Sequence, residues 1–287
     1  MLNNTLINHL SDQISQTITS HNPLQGGDIN DVYLIKTTED QFILKVNSAK
    51  QFPGMFEAEE KGLTELSIHS SMAVAKSTKV GALDDHAYLM LNYINKGQST
   101  LEFWETFGHQ LNRLHQATQS KFGYTSKNYI GSLPQYNSNC DTWAEFYTTQ
   151  RLEPQLKLLV QKGHLKGSIS KFEKLYNKLE KWFPVEPPAL LHGDLWSGNF
   201  IIGENNKPWL IDPAVYYGHR EMDIGMTLLF GGFNERFYEA YNFNYPLESD
   251  WSSRVPLTQL YPLMVHANLF EGGGYLKSVE SILNNFV

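Results

Sequence analysis

The chain has 287 residues, of which 41% are hydrophobic and 13% aromatic, so it can bury a sizeable core around one shared cleft. Its formal charge of −7, from 30 acidic and 23 basic residues, argues against a broad surface for nucleic acid or for a membrane. The single cysteine, Cys140, excludes an internal disulfide framework, and neither a leader-like first segment nor an apolar stretch of about eighteen residues is present, so we expect a cytoplasmic protein.

The first predicted strands form a hairpin. Val32–Ile35 and Phe42–Val46 are apolar runs that flank a polar turn. A glycine-containing segment precedes them, made of Gly26, Gly27, Asp28 and Ile29. Glycines at the start of a hairpin let main-chain N–H groups approach phosphate oxygens closely, although two adjacent glycines alone are more typical of an ordinary turn.

Lys45 is a lone cation inside the second apolar strand. An unpaired ammonium is costly to bury, and strand alternation places Lys45 on the same side as Ile43. On the following predicted helix, an apolar stripe through Phe56 and Leu63 centres on Glu59. We therefore predict that Lys45 pairs with Glu59 and binds a phosphate. The alternative is an edge-strand lysine whose ammonium group reaches solvent.

A change from strands to helices is predicted near residue 94. The apolar strand His86–Ile94 ends at a polar segment, Asn95–Gln98, which is a candidate hinge. After it, Phe103 and Phe107 begin an apolar pattern with helical spacing. The sequence thus predicts a strand-rich part, residues 1–94, and a mainly helical part, residues 95–287.

The clearest chemical signal is the run His192–Asn199 (His-Gly-Asp-Leu-Trp-Ser-Gly-Asn), followed by Asp212. A hydroxyl that attacks a γ-phosphate benefits from a carboxylate that orients it and accepts its proton, which suits Asp194. Mg²⁺ prefers oxygen ligands, which suits Asn199 and Asp212. The spacing from Asp194 to Asn199 equals that of the protein-kinase motif H-R-D-x-x-x-x-N, with Gly193 in place of arginine. The pattern indicates a small-molecule kinase.

A second hairpin is predicted directly after this run. Phe200–Ile202 and Pro208–Ile211 are short apolar segments on either side of a polar turn. Such a hairpin would return the chain so that Asp212 faces Asn199, and both could bind one metal ion. A bare His-Gly-Asp tripeptide is more typical of an ordinary turn, but its combination with Asn199, the hairpin and Asp212 favours the kinase interpretation.

Segments spread over nearly the whole chain resemble the fructosamine kinase family. The most specific are His192–Asn199 and Ile211–Ala214; the others are residues 55–59, 111–115, 122–124, 128–131, 133–135, 218–221 and 230–233. The resemblance implies an α+β, protein-kinase-like bilobal fold that is shared with aminoglycoside phosphotransferases. Residues 1–94 would be a small β-rich lobe that binds ATP, and residues 95–287 a larger, mainly helical lobe for catalysis and substrate binding.

The resemblance also implies a reaction. Family members use ATP and Mg²⁺ to phosphorylate ketoamines, either small-molecule or protein-bound adducts of ribulose or fructose, on the sugar 3-hydroxyl. The phosphate makes the adduct labile, so the amine is regenerated and early glycation is repaired. Carried onto this chain, Asp194 is the base, Asn199 and Asp212 bind Mg²⁺, and Lys45 with Glu59 positions the phosphates. Trp196 would border the sugar pocket.

The expected nucleotide contacts lie in two segments. The first is the glycine-containing segment, Gly26 to Ile29. The second is the hinge, where we expect Met90, Asn92 and Ile94 to contact the adenine, mainly through main-chain groups. Asn92 stands where many relatives have glutamate, a change that backbone recognition should tolerate.

Other polar residues receive plainer interpretations. His115 is read as a packed histidine, because its spacing from His109 does not place the two on one helical face for a metal. Asp223 is read as an anchor for the helix that follows it. His266 could line the acceptor side of the site or simply lie at the end of a helix.

Two alternative functions remain. A kinase for another hydroxyl acceptor, such as an aminoglycoside or a choline-like alcohol, would use the same catalytic residues, but the sequence shows no isolated acidic cluster for a cationic acceptor. A catalytically silent nucleotide-binding module is disfavoured because the whole catalytic set is present. The sequence leaves open the preferred sugar and the oligomeric state.

Overall fold

The computed structural model describes residues 2–24, 29–270 and 274–287. Its N-terminal part is an antiparallel sheet that packs between two helices. The elements of this part are α1 (Asn4–Ile14), β1 (Ile18–Pro23), β2 (Asp31–Thr37), β3 (Gln41–Ser48), α2 (Met55–His69), β4 (Ala73–Val74), β5 (Ser77–Leu83) and β6 (His86–Asn92).

The sheet has the strand order β1-β2-β3-β6-β5. Strands β2 and β3 form the predicted hairpin, in which Val32 pairs with Lys45. On the other side of β3, Lys45 pairs with Leu89 of β6. Lys45 therefore lies in the middle of the sheet and not at its edge, so the edge-strand alternative is wrong.

Helix α1 covers the outer face of this sheet. Asn3 caps it, because its Oδ1 accepts a hydrogen bond from the N–H of Leu6 at 2.8 Å. Leu6 and Leu10, one turn apart, are buried among the side chains of alternate strand residues such as Leu44 and Met90. The neighbours of those residues, including Lys45, face the opposite side of the sheet.

Helix α2 packs on that opposite side. The predicted stripe is confirmed, since Phe56, Leu63 and Leu66 are all buried. At Gly62 a Cβ atom would meet Pro213 and Val215 at 3.3 Å. The helix therefore packs tightly against the segment just after Asp212, where a side chain at Gly62 would be crowded.

The C-terminal part is mainly helical. Its elements are α3 (Leu101–Leu114), β7 (Asn128–Ile130), β8 (Leu133–Gln135), α4 (Trp143–Phe146), a π-helical segment (Tyr147–Leu152), α5 (Glu153–Gln161), α6 (Ile169–Tyr176), α7 (Leu179–Trp182), β9 (Ala189–Leu191), β10 (Phe200–Ile202), β11 (Pro208–Leu210), β12 (Tyr216–Gly218), α8 (Glu221–Leu229), α9 (Glu235–Asn244), α10 (Trp251–Leu269) and α11 (Gly274–Phe286). None of the helices in the described ranges is long and apolar enough to cross a bilayer.

Short strands join the two parts and frame the loop His192–Asn199, which we call the catalytic loop after the role predicted for Asp194. Strands β10 and β11 form the second predicted hairpin, with Phe200 opposite Leu210. Strand β4 adds to it in parallel, because Ala73 pairs with Trp209. The strand-rich part thus supplies one strand to a sheet of the helical part. The boundary at residue 94 stays a prediction.

Candidate active site

The loop that follows β9 turns sharply at Gly193. This glycine has φ +84°, and a Cβ atom there would collide with the carbonyl oxygen of Ala214. A side chain is excluded both by the left-handed backbone and by this close approach. The N–H of Ala214 also donates to the carbonyl of His192 at 2.9 Å. The catalytic loop and the segment after Asp212 are therefore held against each other.

His192 is buried and bridges the same two segments from inside. Its Nε2 donates to the carbonyl of Ile211 at 2.9 Å, and its Nδ1 accepts from the N–H of Asp194 at 3.3 Å. These partners assign the ring proton to Nε2. Burial lowers the pKa of His192, so the ring is neutral. Both ring nitrogens are thus occupied in holding the loop.

Asp223, in the first turn of α8, holds the loop through hydrogen bonds to its main chain. Its carboxylate accepts from the N–H groups of His192 at 2.7 Å and Gly193 at 2.9 Å, and from Nε2 of His115 at 3.2 Å. Although burial opposes ionisation, these hydrogen bonds hold the pKa of Asp223 below its ordinary value. Asp223 anchors the catalytic loop itself, which the sequence interpretation missed. The available signal was a pair of acidic residues, Glu221 and Asp223, in the first turn of an otherwise mainly apolar helix.

Asp194 projects from the loop into the cleft and is half-buried. Nδ2 of Asn199 donates both to Oδ2 and to the main-chain carbonyl of Asp194, each at 2.8 Å. Burial raises the pKa of Asp194 to about 7; the Asn199 hydrogen bond opposes this rise, and the charges of Asp212 and Asp223 add to it. A carboxyl with that pKa can accept a proton near neutral pH.

Lys45 forms the charged centre on the sheet side of the cleft. Its Nζ lies 2.6 Å from Oε1 of Glu59 and 2.5 Å from Oδ1 of Asp212. Burial alone would lower the pKa of Lys45, but the two carboxylates raise it, so the ammonium stays charged. Burial and the charge of Asp212 raise the pKa of Glu59, while Lys45 opposes them. The predicted ion pair of Lys45 with Glu59 is present.

Asn199 and Asp212 line the same cleft, at the two ends of the β10–β11 hairpin. The N–H of Ile211 donates to the carbonyl of Asn199 at 3.2 Å, which keeps these strand ends together. Asp212 has φ +55°, a left-handed conformation that turns its side chain out of the strand direction. Side-chain oxygens from both residues are the donors that Mg²⁺ prefers, so the residues present fit this ion.

An aromatic and apolar wall borders the cleft beside Asp194. Trp196 is 36% exposed, and its ring meets Phe230 edge-on at 5.9 Å. Phe230 contacts the ring of His266 at 4.8 Å. Trp196, His266 and Phe270 all line the cleft. The structure thus brings Trp196 and His266 into the cleft that Asp194, Lys45 and Glu59 also line.

The residues expected to contact nucleotide are only partly gathered here. Ile29 lines the cleft with Lys45, whereas Gly26, Gly27 and Asp28 lie outside the described residues.

The hinge residues occupy three different environments. The side chain of Met90 is buried beneath α1, on the face of the sheet away from the cleft. The side chain of Asn92 accepts from the N–H of Lys76 at 2.6 Å. Strand pairing then ends at Tyr93, and within the described residues no hydrogen bond occupies the N–H of Ile94. Their contacts with adenine stay predictions.

Buried ion pairs involve residues that follow Asp212 in the chain. Arg220 binds Glu186 through two hydrogen bonds of 2.8 and 2.9 Å, and Arg254 binds Glu221. These pairs lie at the N-terminal end of α8, as expected for residues that anchor a helix.

Known proteins are similar to this chain over nearly its whole length. The sequence model of the family described as fructosamine kinase matches residues 2–287. An Enterococcus faecium protein named "Probable ketoamine kinase" is 39% identical over 269 residues, covering 92% of this chain and 94% of the relative. The Arabidopsis thaliana protein named "Protein-ribulosamine 3-kinase, chloroplastic" is 36% identical over 290 residues, covering 97% of this chain and 86% of the relative.

Solved structures share the fold. A candidate fructosamine-3-kinase from Haemophilus somnus 129PT has a TM-score of 0.89 at 28% identity, covering 98% of this chain and 96% of that chain. A thermostable mutant of aminoglycoside phosphotransferase APH(4)-Ia has a TM-score of 0.65 at 13% identity, covering 97% and 98%, a likeness of fold alone. The predicted α+β, protein-kinase-like architecture is confirmed. This chain belongs to the fructosamine kinase family.

Proposed function

We propose that this chain uses ATP to phosphorylate ketoamines, the ribulosamine or fructosamine adducts of amines, on the sugar 3-hydroxyl. One observation carries the proposal: Asp194, Asn199, Asp212 and Lys45 converge in a single cleft, which is the set that phosphoryl transfer needs. The substrate class is supported by the names of two relatives, a ketoamine kinase and a protein-ribulosamine 3-kinase. The reaction would repair early glycation, on small-molecule or on protein-bound adducts. A cytoplasmic location stays a prediction.

In this proposal Asp194 is the general base. Asn199 donates to Oδ2, and no hydrogen bond from another described residue reaches Oδ1. That oxygen can therefore accept the hydrogen of an acceptor hydroxyl that approaches from the wall side of the cleft. The raised pKa makes the carboxylate a stronger base than an ordinary aspartate while it remains ionised above about pH 7.

Asn199 and Asp212 would hold Mg²⁺, and Lys45 would meet the nucleotide phosphates. When bound, the ion would offset the negative charge of those phosphates. Lys45 contributes a fixed positive charge at the same end of the cleft. Glu59 keeps that charge in place, since its Oε1 accepts from Lys45 independently of Asp212.

The adenine would lie at the hinge, where the N–H of Ile94 supports main-chain recognition. The acceptor would lie against the wall that includes Trp196 and Phe270. An indole face suits the apolar side of a sugar ring and also a protonated amine.

The test is Mg²⁺-dependent ATP turnover by the purified protein with a ribulosamine, a fructosamine, an aminoglycoside and a choline-like alcohol. We expect turnover only with a ketoamine, with the phosphate on O3 by NMR, and a loss of most of this turnover in the Asp194→Asn variant. Turnover confined to the aminoglycoside or the alcohol would keep a kinase and overturn the substrate. No turnover with any acceptor, from protein that binds Mg²⁺ and nucleotide, would favour a silent module.

A further inference from the structure

The β7–β8 hairpin carries a buried chain of amides that the proposed chemistry does not use. Asn128 and Gln135 stand opposite each other in the hairpin and are 5% and 1% exposed. Asn137, two residues beyond, is 3% exposed. Buried amides are costly unless their hydrogen-bonding groups are satisfied, so their partners indicate what the hairpin holds.

Two of these amides hold the main chain just after Asp212. Nε2 of Gln135 donates to the carbonyl of Ala214 at 3.0 Å. Nδ2 of Asn128 donates to the carbonyl of Val215 at 2.9 Å. Both carbonyls follow Asp212 by two or three residues, so the hairpin fixes the segment that carries the proposed metal ligand.

Arg151 sets the direction of hydrogen bonding along this chain of amides, from its far end. A guanidinium can only donate, and Nη2 of Arg151 donates to Oδ1 of Asn137 at 2.8 Å. Asn137 must therefore present its NH₂ group to Oδ1 of Asn128, at 2.8 Å. Asn128 in turn must present its own NH₂ group to Val215.

Gln135 joins the chain of amides at the end beside the segment after Asp212. Its Nε2 also donates to Oδ1 of Asn128 at 2.9 Å, and its Oε1 accepts from the hydroxyl of Tyr261 at 2.9 Å. Every amide orientation in the network is thus determined by a neighbour. Asn128 and Gln135 direct donors to the segment after Asp212, while Asn137 also donates to the carbonyl of Ser126 at 3.0 Å. Hydrogen bonds that link several buried amides strengthen one another and restrain the segments they join, although the buried Nε of Arg151 has no hydrogen-bond partner among the described residues.

Arg151, the cation that sets this direction, is buried, and no carboxylate of the described residues pairs with it. Arg151 is 0% exposed and lies in the π-helical segment. Its guanidinium stacks on the rings of Tyr216 at 4.0 Å and Phe146 at 4.6 Å. Since π-helical turns are costly and often occur at functional sites, the backbone here supports a role beyond packing.

The segment that the amides hold is one whose conformation needs support. Asp212 is left-handed, and Ala214 is pressed against Gly193 of the catalytic loop. A left-handed non-glycine residue persists where its surroundings hold it. Releasing the carbonyl of Ala214 would free Asp212 to relax and would also loosen the contact with the loop that carries Asp194.

We propose that Gln135 and Asn128 are positioning residues that hold Asp212 in its metal-binding place through the carbonyls of Ala214 and Val215, with Arg151 setting the direction of the amide chain. The proposal deepens the proposed function and rests on its assignment of Asp212. It gives a role to the two sequence segments of the hairpin, residues 128–131 and 133–135.

The test compares two buried amides that each donate to a main-chain carbonyl. Gln135→Met removes the donor to Ala214, and Gln135 does not itself line the cleft. The matched control is Asn112→Leu, because Nδ2 of Asn112 donates to the carbonyl of Tyr241, away from the cleft. Calorimetry measures ADP binding with and without Mg²⁺, and thermal unfolding reports stability.

Both variants should lower the melting temperature. Only Gln135→Met should weaken ADP binding in Mg²⁺, by about tenfold, while binding in EDTA stays as in the native protein. Its KM for ATP should rise more than its kcat falls. Equal Mg²⁺-dependent binding in Gln135→Met and the native protein would overturn the proposal, and so would an equal loss in Asn112→Leu.

A second pair of variants, with smaller changes, tests the proposal if Gln135→Met does not fold. Tyr261→Phe removes the hydroxyl that orients Gln135 and should weaken Mg²⁺-dependent ADP binding about threefold. Its control is Tyr176→Phe, whose buried hydroxyl has no hydrogen-bond partner within the described residues. Equal binding by these two variants would refute the proposal. ADP binding needs no acceptor, so a wrong ketoamine assignment leaves this result unchanged and is detected separately by the turnover assay.

Discussion

Nζ of Lys45 lies 2.5 Å from Oδ1 of Asp212, although the two residues are 167 positions apart in the chain. This contact joins β3, the middle strand of the N-terminal sheet, to the segment that follows the β10–β11 hairpin. Glu59 completes the cluster from α2, at 2.6 Å from the same nitrogen. Three elements therefore meet at one ammonium group, and the proposed phosphate end of the cleft is assembled there.

Replacing Lys45 with methionine should cost stability and nucleotide binding together. The change leaves Glu59 and Asp212 facing each other without a cation, and breaking a buried pair typically costs about 3–5 kcal/mol. We expect a clear loss in the free energy of unfolding by urea and a KM for ATP raised at least about tenfold. Lys36→Met, at an exposed position of β2, is the control and should change neither. A Lys45→Met protein with native KM would contradict the assignment.

Asp194→Asn should remove turnover and spare the nucleotide. The amide cannot accept the proton of the acceptor hydroxyl, so kcat should fall by about 10²–10⁴. ADP affinity in Mg²⁺ should stay within about twofold of the native value, since Lys45, Asn199 and Asp212 are untouched. Steady-state kinetics and calorimetry measure the two quantities. Asp84→Asn, at an exposed left-handed position where asparagine is tolerated, is the control.

The raised pKa of Asp194 predicts opposite trends for activity and stability. Activity needs the carboxylate, so kcat/KM should rise with pH and level off above a midpoint near the pKa of about 7. The folded state holds this proton more tightly than the unfolded chain, whose carboxyl has its ordinary pKa of 3.8. The associated stabilisation is therefore fully present below about pH 4 and is lost as pH rises through 7.

The Asp194→Asn variant isolates the effect of Asp194 ionisation on stability, because the side chain of asparagine does not ionise. We expect it to melt at a higher temperature than the native protein at pH 8, by roughly 2–4 °C for each kcal/mol involved. The difference should shrink steadily towards pH 4. A difference in melting temperature between the two proteins that stays the same at all pH values would show that the pKa of Asp194 is ordinary.

Asp223→Ala should damage catalysis without touching the cleft. It leaves the N–H groups of His192 and Gly193 unsatisfied, and each buried unpaired donor costs about 1–3 kcal/mol. The loop that presents Asp194 should loosen, so we expect kcat to fall about 10²-fold with a smaller change in the KM for ATP. Glu235→Gln, an exposed first-turn residue of α9, should leave both unchanged. An unchanged kcat in a folded Asp223→Ala protein would refute the anchoring role.

Gly193→Ala should be far more harmful than the same change at Gly163. Both glycines have positive φ, +84° and +91°, so both variants pay a similar cost for the left-handed backbone. Only at Gly193 does the added Cβ collide with Ala214, whereas nothing lies within 4 Å at Gly163. We expect Gly163→Ala to lose about 1–2 kcal/mol and keep full kcat. Gly193→Ala should lose most activity, and comparable kcat values in the two variants would count against the close approach.

The sequence by itself determined the elements whose signals are local. Short apolar runs on either side of a polar turn predicted the β2–β3 and β10–β11 hairpins, because strand pairing over a short turn needs no distant information. Helical periodicity placed Glu59 on the face of α2 that meets Lys45. The spacing of Asp194, Asn199 and Asp212 indicated phosphoryl transfer, since the loop and hairpin that gather these residues are contiguous in the chain.

Only the tertiary structure decided the contacts between distant segments. The ion pair between Lys45 and Asp212 depends on packing, and so do the hydrogen bonds from the catalytic loop to Asp223. No spacing in the sequence encodes either contact. The side-chain direction of Met90 was equally hidden, because β6 is buried on both faces and its apolar run does not alternate. The amides of Asn128 and Gln135 find their partners in main-chain carbonyls, groups that every residue possesses and that therefore leave no mark in the sequence.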